Sequence, residues 1–264
     1  MLVSTSMALG DIRIVLVRPQ GAANTGAVAR VMKNMGLRDL VLVRPVFRRR
    51  FWARTMAVHA VDILESARTC KTLAEAVEDC GFVAGTTCRQ GPYRNHPVTP
   101  RAAATELVRA AATNKVALVF GPEDHGLSNH DLQLTQLVIN IPSHEAYPSL
   151  NLAQAVAVCC YELFVAEPAA TTAEPVATLA TSASTEAMFE RLQNAFLSIG
   201  FLLRDNPEHI MYAFRHMLGR AKLEERDVRI LLGLARQIEW FSRTSDKATE
   251  AKTGLDPHIL NPVP

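Results

Sequence analysis

The stretch IRIVLVRPQGAANTGAVARVMKNMG, residues 12–36, decides the fold, because it indicates a strand, a loop and a helix in succession. Residues 12–17 form an apolar, partly β-branched run, which is typical of a strand buried on both faces. Gly36 is placed to end the helix. A helix that begins near Ala27 carries Arg30 in its first turn, where a cation is disfavoured by up to about 1 kcal/mol. Either Arg30 points into water, or it faces an anion that the helix N-terminus also attracts.

The loop before this helix lacks the common phosphate-binding glycine patterns. A dinucleotide-binding fold needs G-x-G-x-x-G after its first strand, and a P-loop needs G-K-[ST]. Gly21 and Gly26 fit neither pattern, which disfavours a nicotinamide-dependent dehydrogenase. Asn24, between the two glycines, can cap the helix or orient Arg30.

Further strands and helices alternate along the chain up to about residue 165. Apolar runs predict strands at residues 12–17, 40–43, 82–86, 116–120 and 137–141. Capping signals predict helix starts at Thr72 (with Glu75), Thr99 (before Pro100) and Ser128 (with Asp131). This alternation predicts a mainly parallel α/β sheet with helices on both faces.

The composition changes after residue 165. Residues 166–185 are rich in Ala, Thr, Pro and Ser, and we interpret them as a linker. Apolar residues at helical spacing then predict a small all-α extension at 186–243, and the tail at 244–264 has little pattern. We therefore predict one domain at 1–165, followed by the linker, the extension and a loosely ordered tail.

The charge of the chain is unevenly distributed. The first 60 residues hold ten Lys and Arg against two Asp, a net charge of +8, so the rest of the chain carries −6 of the overall +2. The run RRRFWAR, residues 48–54, combines arginines with Phe51 and Trp52, whose rings can stack on bases. A solvated charge run and a nucleic-acid-binding face both fit this pattern.

Composition also argues against several classes of protein. No apolar stretch is long enough to cross a bilayer, and the N-terminus lacks a secretory pattern. The five cysteines show no CxxC pair and no accompanying His cluster, so we expect free thiols in a reducing cytoplasm and no metal site.

Two more loops carry polar groups at predicted strand ends, where open α/β sheets bind ligands. FGPEDHGLS, residues 120–128, places Glu123 in a glycine-rich loop, and NIPSHEAYPSLNLAQAVAVCCYEL, residues 140–163, places Ser149 and Asn151 before a long apolar helix. Taken alone, the first is also explained by a tight turn with solvated acids, and the second by Ser149 as a simple N-cap.

Together, the segments NTGAVAR, FGPEDHGLS and IPSHEAYPSLNLAQAVA resemble the three signature motifs of the SPOUT RNA 2′-O-methyltransferases, in the TrmH-like branch. The resemblance covers residues 12–165 closely, and the helical extension resembles that of the TrmJ type. It implies a deep trefoil knot, S-adenosylmethionine as cofactor and a homodimer. It also implies a tRNA substrate, methylated on a pyrimidine at the start of the anticodon loop, position 32.

The resemblance implies site residues by position. The catalytic group would consist of Arg30, Asn24, Glu123, Ser149 and Asn151. The S-adenosylmethionine pocket would be built from Thr86, Thr87, Cys88, Gly121, Ile141, Pro148, Ser149 and Leu150. In the implied homodimer, Arg30 of one chain faces the cofactor bound by the other. Pro148 offers no backbone N–H, so it would contact the cofactor through its carbonyl or its ring.

Two roles for Arg30 stay open at this stage. Attack by a ribose 2′-hydroxyl needs alignment and a proton acceptor, whereas an arginine side chain is almost always protonated. Its proton could be drawn off by a neighbouring phosphate, or the guanidinium could clamp phosphate and ribose in place. No metal is required, since a sulfonium is a good leaving group.

We expect the RNA backbone to be contacted by Arg48, Arg49, Arg50 and Arg54. Two alternatives remain: a 2′-O-methyltransferase of ribosomal RNA or of another tRNA position, and a non-catalytic RNA-binding relative. The extension argues against the first, and the complete set of matched catalytic positions argues against the second.

Overall fold

The computed structural model describes residues 7–47, 51–89, 91, 96–170, 177–202 and 207–253. The strands in these residues are β1 (Ile12–Val17), β2 (Asp39–Val43), β3 (Arg68–Cys70), β4 (Phe82–Thr86), β5 (Val116–Phe120) and β6 (Leu137–Ile139). They form one six-stranded sheet in the order β3-β2-β1-β5-β4-β6, and every pairing is parallel. The predicted parallel α/β sheet is therefore confirmed.

Helices cover both faces of this sheet, because strands buried on both sides need apolar cover on each. The helices are α1 (Met7–Gly10), α2 (Ala22–Asn34), α3 (Phe51–Ala57), α4 (Val61–Ser66), α5 (Leu73–Val77), α6 (Pro100–Ala111), α7 (Asn129–Leu132), α8 (Leu152–Ala170), α9 (Ser182–Ser198), α10 (Pro207–Gly219) and α11 (Glu225–Thr253). One core joins β1, β2, β4 and β5 to α2, α6 and α8. A second core on the opposite face contains residues of α5 and α7.

The predicted capping signals are confirmed where the structure shows them. The Thr72 side chain accepts a hydrogen bond from the Glu75 N–H at the start of α5, and Thr99 caps α6 in the same way. Ser128 and Asp131 form a reciprocal capping box at α7. These helix starts are local, so the sequence alone specifies them.

Strand β3, the end of α8 and the start of α9 differ from the predictions. The three residues of β3, Arg68–Cys70, pair only with β2 at the sheet edge. Because this segment is short and partly exposed, no apolar run marks it. Helix α8 continues to Ala170 and α9 begins at Ser182, so both enter the predicted linker.

The C-terminal helices have a core of their own. Met188, Leu192, Met211 and Val228 pack together where α9, α10 and α11 meet. Helix α11 extends to Thr253, past the predicted end of the extension. Residues 171–176 of the predicted linker and 254–264 of the predicted tail lie outside the described residues, and the division into domains stays a prediction.

The extension docks at the amino ends of β4 and β5, opposite the strand ends that carry the signature loops. Asn114, just before β5, donates from Nδ2 to the Ala177 carbonyl at 3.2 Å and accepts from the Leu179 N–H at 2.8 Å. The Ser182 N–H donates to the Cys80 carbonyl at 2.8 Å. These contacts attach residues 177–182, which lead into the extension, to the residues just before β4 and β5.

Arg13 lies buried in the otherwise apolar strand β1. Its guanidinium donates to Asp39 at 2.8 Å, to Asp79, and to the Ala76 carbonyl at 2.8 Å. The hydrogen bond from Arg13 holds the pKa of the Asp79 carboxyl well below its usual range. Arg13 is one of the ten basic residues counted in the first 60, but it does not belong to an exposed basic face, since it is 5% exposed and paired with two carboxylates.

Within the described part of the chain, none of the helices combines the length and the apolar character that crossing a membrane requires. The five cysteines are free thiols, and four of them are buried.

Candidate active site

Three loops that follow β1, β5 and β6 are joined by a chain of polar side chains at the carboxyl edge of the sheet. Asn24 Nδ2 donates to Glu123 Oε1 at 3.0 Å. Asn151 Nδ2 donates to Asn24 Oδ1, also at 3.0 Å. The structure therefore brings together three of the five residues expected to form the catalytic group.

The Glu123 carboxylate binds the N-terminus of α2. Its two oxygens accept hydrogen bonds from the backbone N–H groups of Gln20 at 2.9 Å and Gly21 at 3.0 Å. Burial by itself raises the pKa of Glu123, but the hydrogen bonds from Asn24, Gln20 and Gly21 outweigh it and leave this pKa below its usual value. The carboxylate is therefore ionised at neutral pH, as a helix N-terminus favours.

Helix α2 begins earlier than the sequence suggested, and this changes the interpretation of Asn24 and of Arg30. It starts at Ala22, with Gly21 as its N-cap and no side-chain cap. Of the two roles left open for Asn24, capping the helix does not occur, because Asn24 already lies in the first turn and binds Glu123. The prediction that Arg30 lies in the first turn was wrong, since Arg30 comes two turns later.

The expected N-cap of α8 was also misplaced by two residues. Helix α8 begins at Leu152, and the Asn151 Oδ1 accepts a hydrogen bond from the Ala153 N–H at 2.9 Å. Asn151, not Ser149, therefore caps the helix. The same amide binds Asn24 through its nitrogen, so its orientation is fixed from both ends.

A cavity of about 910 Å³, which includes its open mouth, lies beside this polar chain. Its walls come from the loops after β4, β5 and β6 and from the start of α8. The eight residues expected to bind the cofactor all line it: Thr86, Thr87, Cys88, Gly121, Ile141, Pro148, Ser149 and Leu150. Glu123 lines it as well, so the cavity and the polar chain share a wall.

Gly121 allows the loop after β5 to fold back on itself. A Cβ at this position would lie 2.2 Å from the backbone of Gly126 and Leu127, too close for any side chain. Gly126 adopts a positive φ of 65° in the same loop. These two glycines therefore shape one wall of the cavity.

Further lining residues have no counterpart among the predictions. They lie in the loops of the predicted residues or in the adjoining ends of β5, β6 and α8, and they are Arg89, Phe120, Pro122, Asp124, His125, Gly126, Ile139, Leu152 and Ala155. Arg89 also donates from Nη2 to the Leu127 carbonyl at 2.7 Å, which connects two walls. These residues lie close in the sequence to Thr87, Gly121 and Ser149, and that proximity could have predicted that they line the cavity.

Arg30 stands apart from the cavity of its own chain. It is exposed and does not line the cavity. Among the residues that the structure describes, none holds Arg30 by a hydrogen bond or an ion pair. A single chain therefore does not assemble the whole predicted catalytic group.

The expected RNA-binding arginines are only partly described. Arg48, Arg49 and Arg50 lie outside the described residues. Arg54 is exposed and forms a 2.7 Å ion pair with Glu65. Over the described ranges, no three or more His, Cys, Asp or Glu side chains are grouped to hold a metal ion.

Comparison with known proteins gives two matches along the chain. Residues 11–161 match the SpoU rRNA Methylase family, and residues 183–252 match the family described as tRNA methyltransferase TrmJ, C-terminal domain. The first range contains every strand of the sheet, and the second contains most of the three C-terminal helices.

Individual relatives resemble the chain over most of its length. The tRNA (cytidine/uridine/adenosine-2'-O-)-methyltransferase TrmJ of Pseudomonas aeruginosa is 37% identical, over 89% of this chain and 96% of that protein. The tRNA (cytidine/uridine-2'-O-)-methyltransferase TrmJ of Salmonella typhimurium is 36% identical, over 88% and 97%.

The crystal structure of TrmJ from Z. mobilis is similar in fold, with a TM-score of 0.75 and 33% identity over 86% of this chain and 98% of that one. A probable methylase family protein from Haemophilus influenzae follows, with a TM-score of 0.59 and 32% identity over 90% and 99%. From its family match and its relatives, the chain belongs to the SpoU rRNA Methylase family, in the TrmJ group.

Proposed function

We propose that this protein transfers a methyl group from S-adenosylmethionine to the ribose 2′-hydroxyl of a tRNA pyrimidine at the start of the anticodon loop, position 32. The observation that carries the proposal is the cavity at the strand ends. Glu123 lines this cavity and is hydrogen-bonded to Asn24, which in turn is hydrogen-bonded to Asn151. The names of the relatives support the reaction and the tRNA substrate.

The residues of the cavity fit S-adenosylmethionine. This cofactor combines an adenine ring with a sulfonium cation and an amino-acid end. Phe120, Ile139 and Ile141 offer apolar surface to the ring, and Glu123 and Asp124 offer negative charge to a cation. When bound, the cofactor supplies a methyl group on a good leaving group.

The side chains of this protein would hold and orient the ribose. Asn24 and Asn151 fix each other, and Ser149 lies two residues before Asn151 on the cavity wall. Arg30 is free to bind a substrate phosphate, either to clamp the ribose or to pass a proton to that phosphate. Glu123 holds the N-terminus of α2, and so the position of Asn24.

We infer that the protein works as a homodimer in which Arg30 of one protomer faces the cofactor held by its partner. Two observations support this inference: Arg30 does not line the cavity of its own chain, and α8 exposes an apolar stripe. Tyr161, Phe164 and Val165 on this stripe are each about half exposed, at a helical spacing that places them on one face.

Subunit complementation tests the shared site. Arg30→Ala and Leu150→Asp should each abolish methylation, the first by removing the phosphate-binding group and the second by placing a charge in the cavity. Mixed dimers should regain activity, because one site then combines an intact cavity with an intact arginine. Light scattering gives the oligomeric state, and a mixture that stays inactive would contradict the shared site.

Mass spectrometry of tRNA tests the reaction itself. The full chain is incubated with isotope-labelled S-adenosylmethionine and with tRNAs that carry cytidine, uridine or adenosine at position 32. We expect the label on one ribose at that position for the pyrimidines. Adenosine is included because the name of the Pseudomonas aeruginosa relative contains it.

The two alternatives have separate outcomes in the same experiment. Label on ribosomal RNA fragments, or at another tRNA position, would identify a related 2′-O-methyltransferase. Binding of RNA without binding of S-adenosylmethionine, measured by calorimetry, would identify a non-catalytic relative. We place the protein in the cytoplasm, where tRNA is modified and cysteines stay reduced.

A further inference from the structure

Two neighbouring aromatic side chains at the start of α3 are exposed. Phe51 is 68% exposed and Trp52 is 60% exposed. Their ring centroids lie 5.4 Å apart with an interplanar angle of 78°, so the two rings present surfaces of different orientation. Aromatic rings left in water at one point of a surface mark a binding site more often than isolated apolar residues do.

Two contacts between α2 and α3 place this aromatic pair beside the candidate active site. At the start of α3, a Cβ on Gly26 would lie 2.1 Å from the Ala53 carbonyl oxygen, so the helices touch there. Just past the end of α3, Lys33 Nζ donates to the His59 carbonyl at 2.7 Å. The helices therefore run alongside each other in the same direction.

This alignment sets the aromatic pair near the first turns of α2. Ala53 is opposite Gly26, so Phe51 and Trp52 come about one helical half-turn earlier, at the end of α2 that holds Asn24. The segment before α3 also lies next to the segment before α2, because the Val46 N–H donates to the Pro19 carbonyl at 3.0 Å.

The surrounding charge indicates which kind of partner meets these rings. In the sequence, residues 44–54 contain five arginines and neither Asp nor Glu. Of these, Arg44 and Arg54 are exposed, with Arg54 paired to Glu65, and residues 48–50 lie outside the described part of the chain. Arg30 is exposed on α2, one turn beyond Gly26. An anionic partner that also offers flat apolar rings fits this surface, and single-stranded RNA has both properties.

We propose that Phe51 and Trp52 form a stacking site for an unpaired base of the RNA loop that carries the methylated ribose. This inference rests on the proposed function and adds to it a substrate-positioning contact. Stacking holds a base without selecting its identity, since every base has a π-face. The pair would hold the loop open beside Arg30 and the polar chain.

Matched aromatic and aliphatic variants test the proposal. The double variant Phe51→Leu/Trp52→Leu keeps apolar surface but removes the rings, whereas Phe51→Tyr/Trp52→Phe keeps the rings. We expect the leucine variant to raise Kd and KM for a tRNA anticodon stem-loop about 5- to 100-fold. The maximal rate at saturating RNA and the affinity for S-adenosylmethionine should not change, and the aromatic variant should resemble the parent protein.

Tryptophan fluorescence gives a direct readout of stacking. The chain has two tryptophans, so Trp240→Phe leaves Trp52 as the only one. We expect the stem-loop to quench Trp52 and S-adenosylmethionine alone to leave it unchanged. An abasic substitution at one loop position should abolish the quenching and so identify the stacked base.

Each opposite result has a distinct meaning. If the leucine variant binds RNA as the parent does while the parent methylates tRNA, the stacking site is wrong and the proposed function stands. If the leucine variant changes only the oligomeric state by light scattering, the surface is a protein–protein contact and the stacking site is also wrong. If the parent protein methylates no RNA at all, the proposed function itself fails.

Discussion

Arg30 is unusual because its side chain has no carboxylate partner in the part of the chain that the structure describes, whereas its position along α2 is an ordinary one for a cation. It lies two turns from the helix N-terminus, where the helix dipole no longer disfavours a cation. Its side chain is exposed, and within the described residues it has no hydrogen-bond or ion-pair partner, while Arg13, Lys33 and Arg54 are all paired with carboxylates. An exposed guanidinium without such a partner is available to an external anion.

Arg30→Ala should therefore remove activity without harming the fold. We expect methylation of tRNA to fall at least about 100-fold, because in the proposed mechanism this group either clamps phosphate and ribose or passes a proton to the phosphate. Binding of S-adenosylmethionine by calorimetry and the melting temperature should stay close to the parent values, since the side chain is exposed. Arg38→Ala, at another exposed arginine, is the control, and equal activity of the two variants would contradict the assignment.

Glu123→Gln should destabilise the protein in a way that depends on pH. The pKa of Glu123 is lowered in the folded chain, so its contribution is complete above its usual pKa and disappears as the pH falls toward the lowered value. We expect a loss of about 1–2 kcal/mol in the free energy of unfolding at neutral pH, which shrinks below about pH 4.

Urea unfolding at a series of pH values measures this loss. Glu145→Gln, in the exposed loop before α8, serves as the control and should change little at any pH. A loss for Glu123→Gln that is constant down to pH 3 would mean that the charge of the carboxylate does not stabilise α2.

At the scale of single elements, local signals were sufficient for some helix starts and failed for others. The caps at Thr72, Thr99 and Ser128 lie within three residues of the groups they bind, so the sequence predicted them. The start of α2 depends on Glu123, which is about a hundred residues away in the chain. No local pattern reports such a contact, which is why the start was placed five residues late.

Gly26→Ala should separate α2 from α3. The added Cβ would meet the Ala53 backbone, which cannot rotate away as a side chain would. We expect a net loss of about 1–2 kcal/mol in the free energy of unfolding, even though Ala favours a helix over Gly. RNA affinity should fall as well, since α3 carries Phe51 and Trp52.

Gly233→Ala in α11 is the matched control for this substitution. No atom lies within 4 Å of a Cβ added there, so the same change should stabilise the protein by up to about 1 kcal/mol. Equal effects of the two substitutions in urea unfolding would show that the contact between α2 and α3 is not close.

At the scale of the whole molecule, the family resemblance of three short motifs predicted the location of the cavity, which strand patterns alone do not indicate. Strand patterns predicted the parallel sheet, whereas the eight cavity residues came from the family resemblance, five of them from motif positions and Thr86, Thr87 and Cys88 from a loop outside the motifs. Their roles in binding stay predictions, as does the trefoil knot. No pattern in the sequence indicates where the extension docks, because docking depends on single buried groups such as Asn114.

Asn114→Ala should loosen the extension while leaving the cavity intact. Asn114 is 9% exposed, and its side chain bonds both Ala177 and Leu179. Ala177 is exposed, so the loss of the side chain leaves one buried backbone group, the Leu179 N–H, unpaired at a cost of about 1–3 kcal/mol. Hydrogen exchange should become faster in α9, whereas binding of S-adenosylmethionine at the opposite end of the sheet should not change. Asn34→Ala, at an exposed position, is the control. Unchanged exchange in α9 would mean that other contacts, such as Ser182 with Cys80, fix the extension on their own.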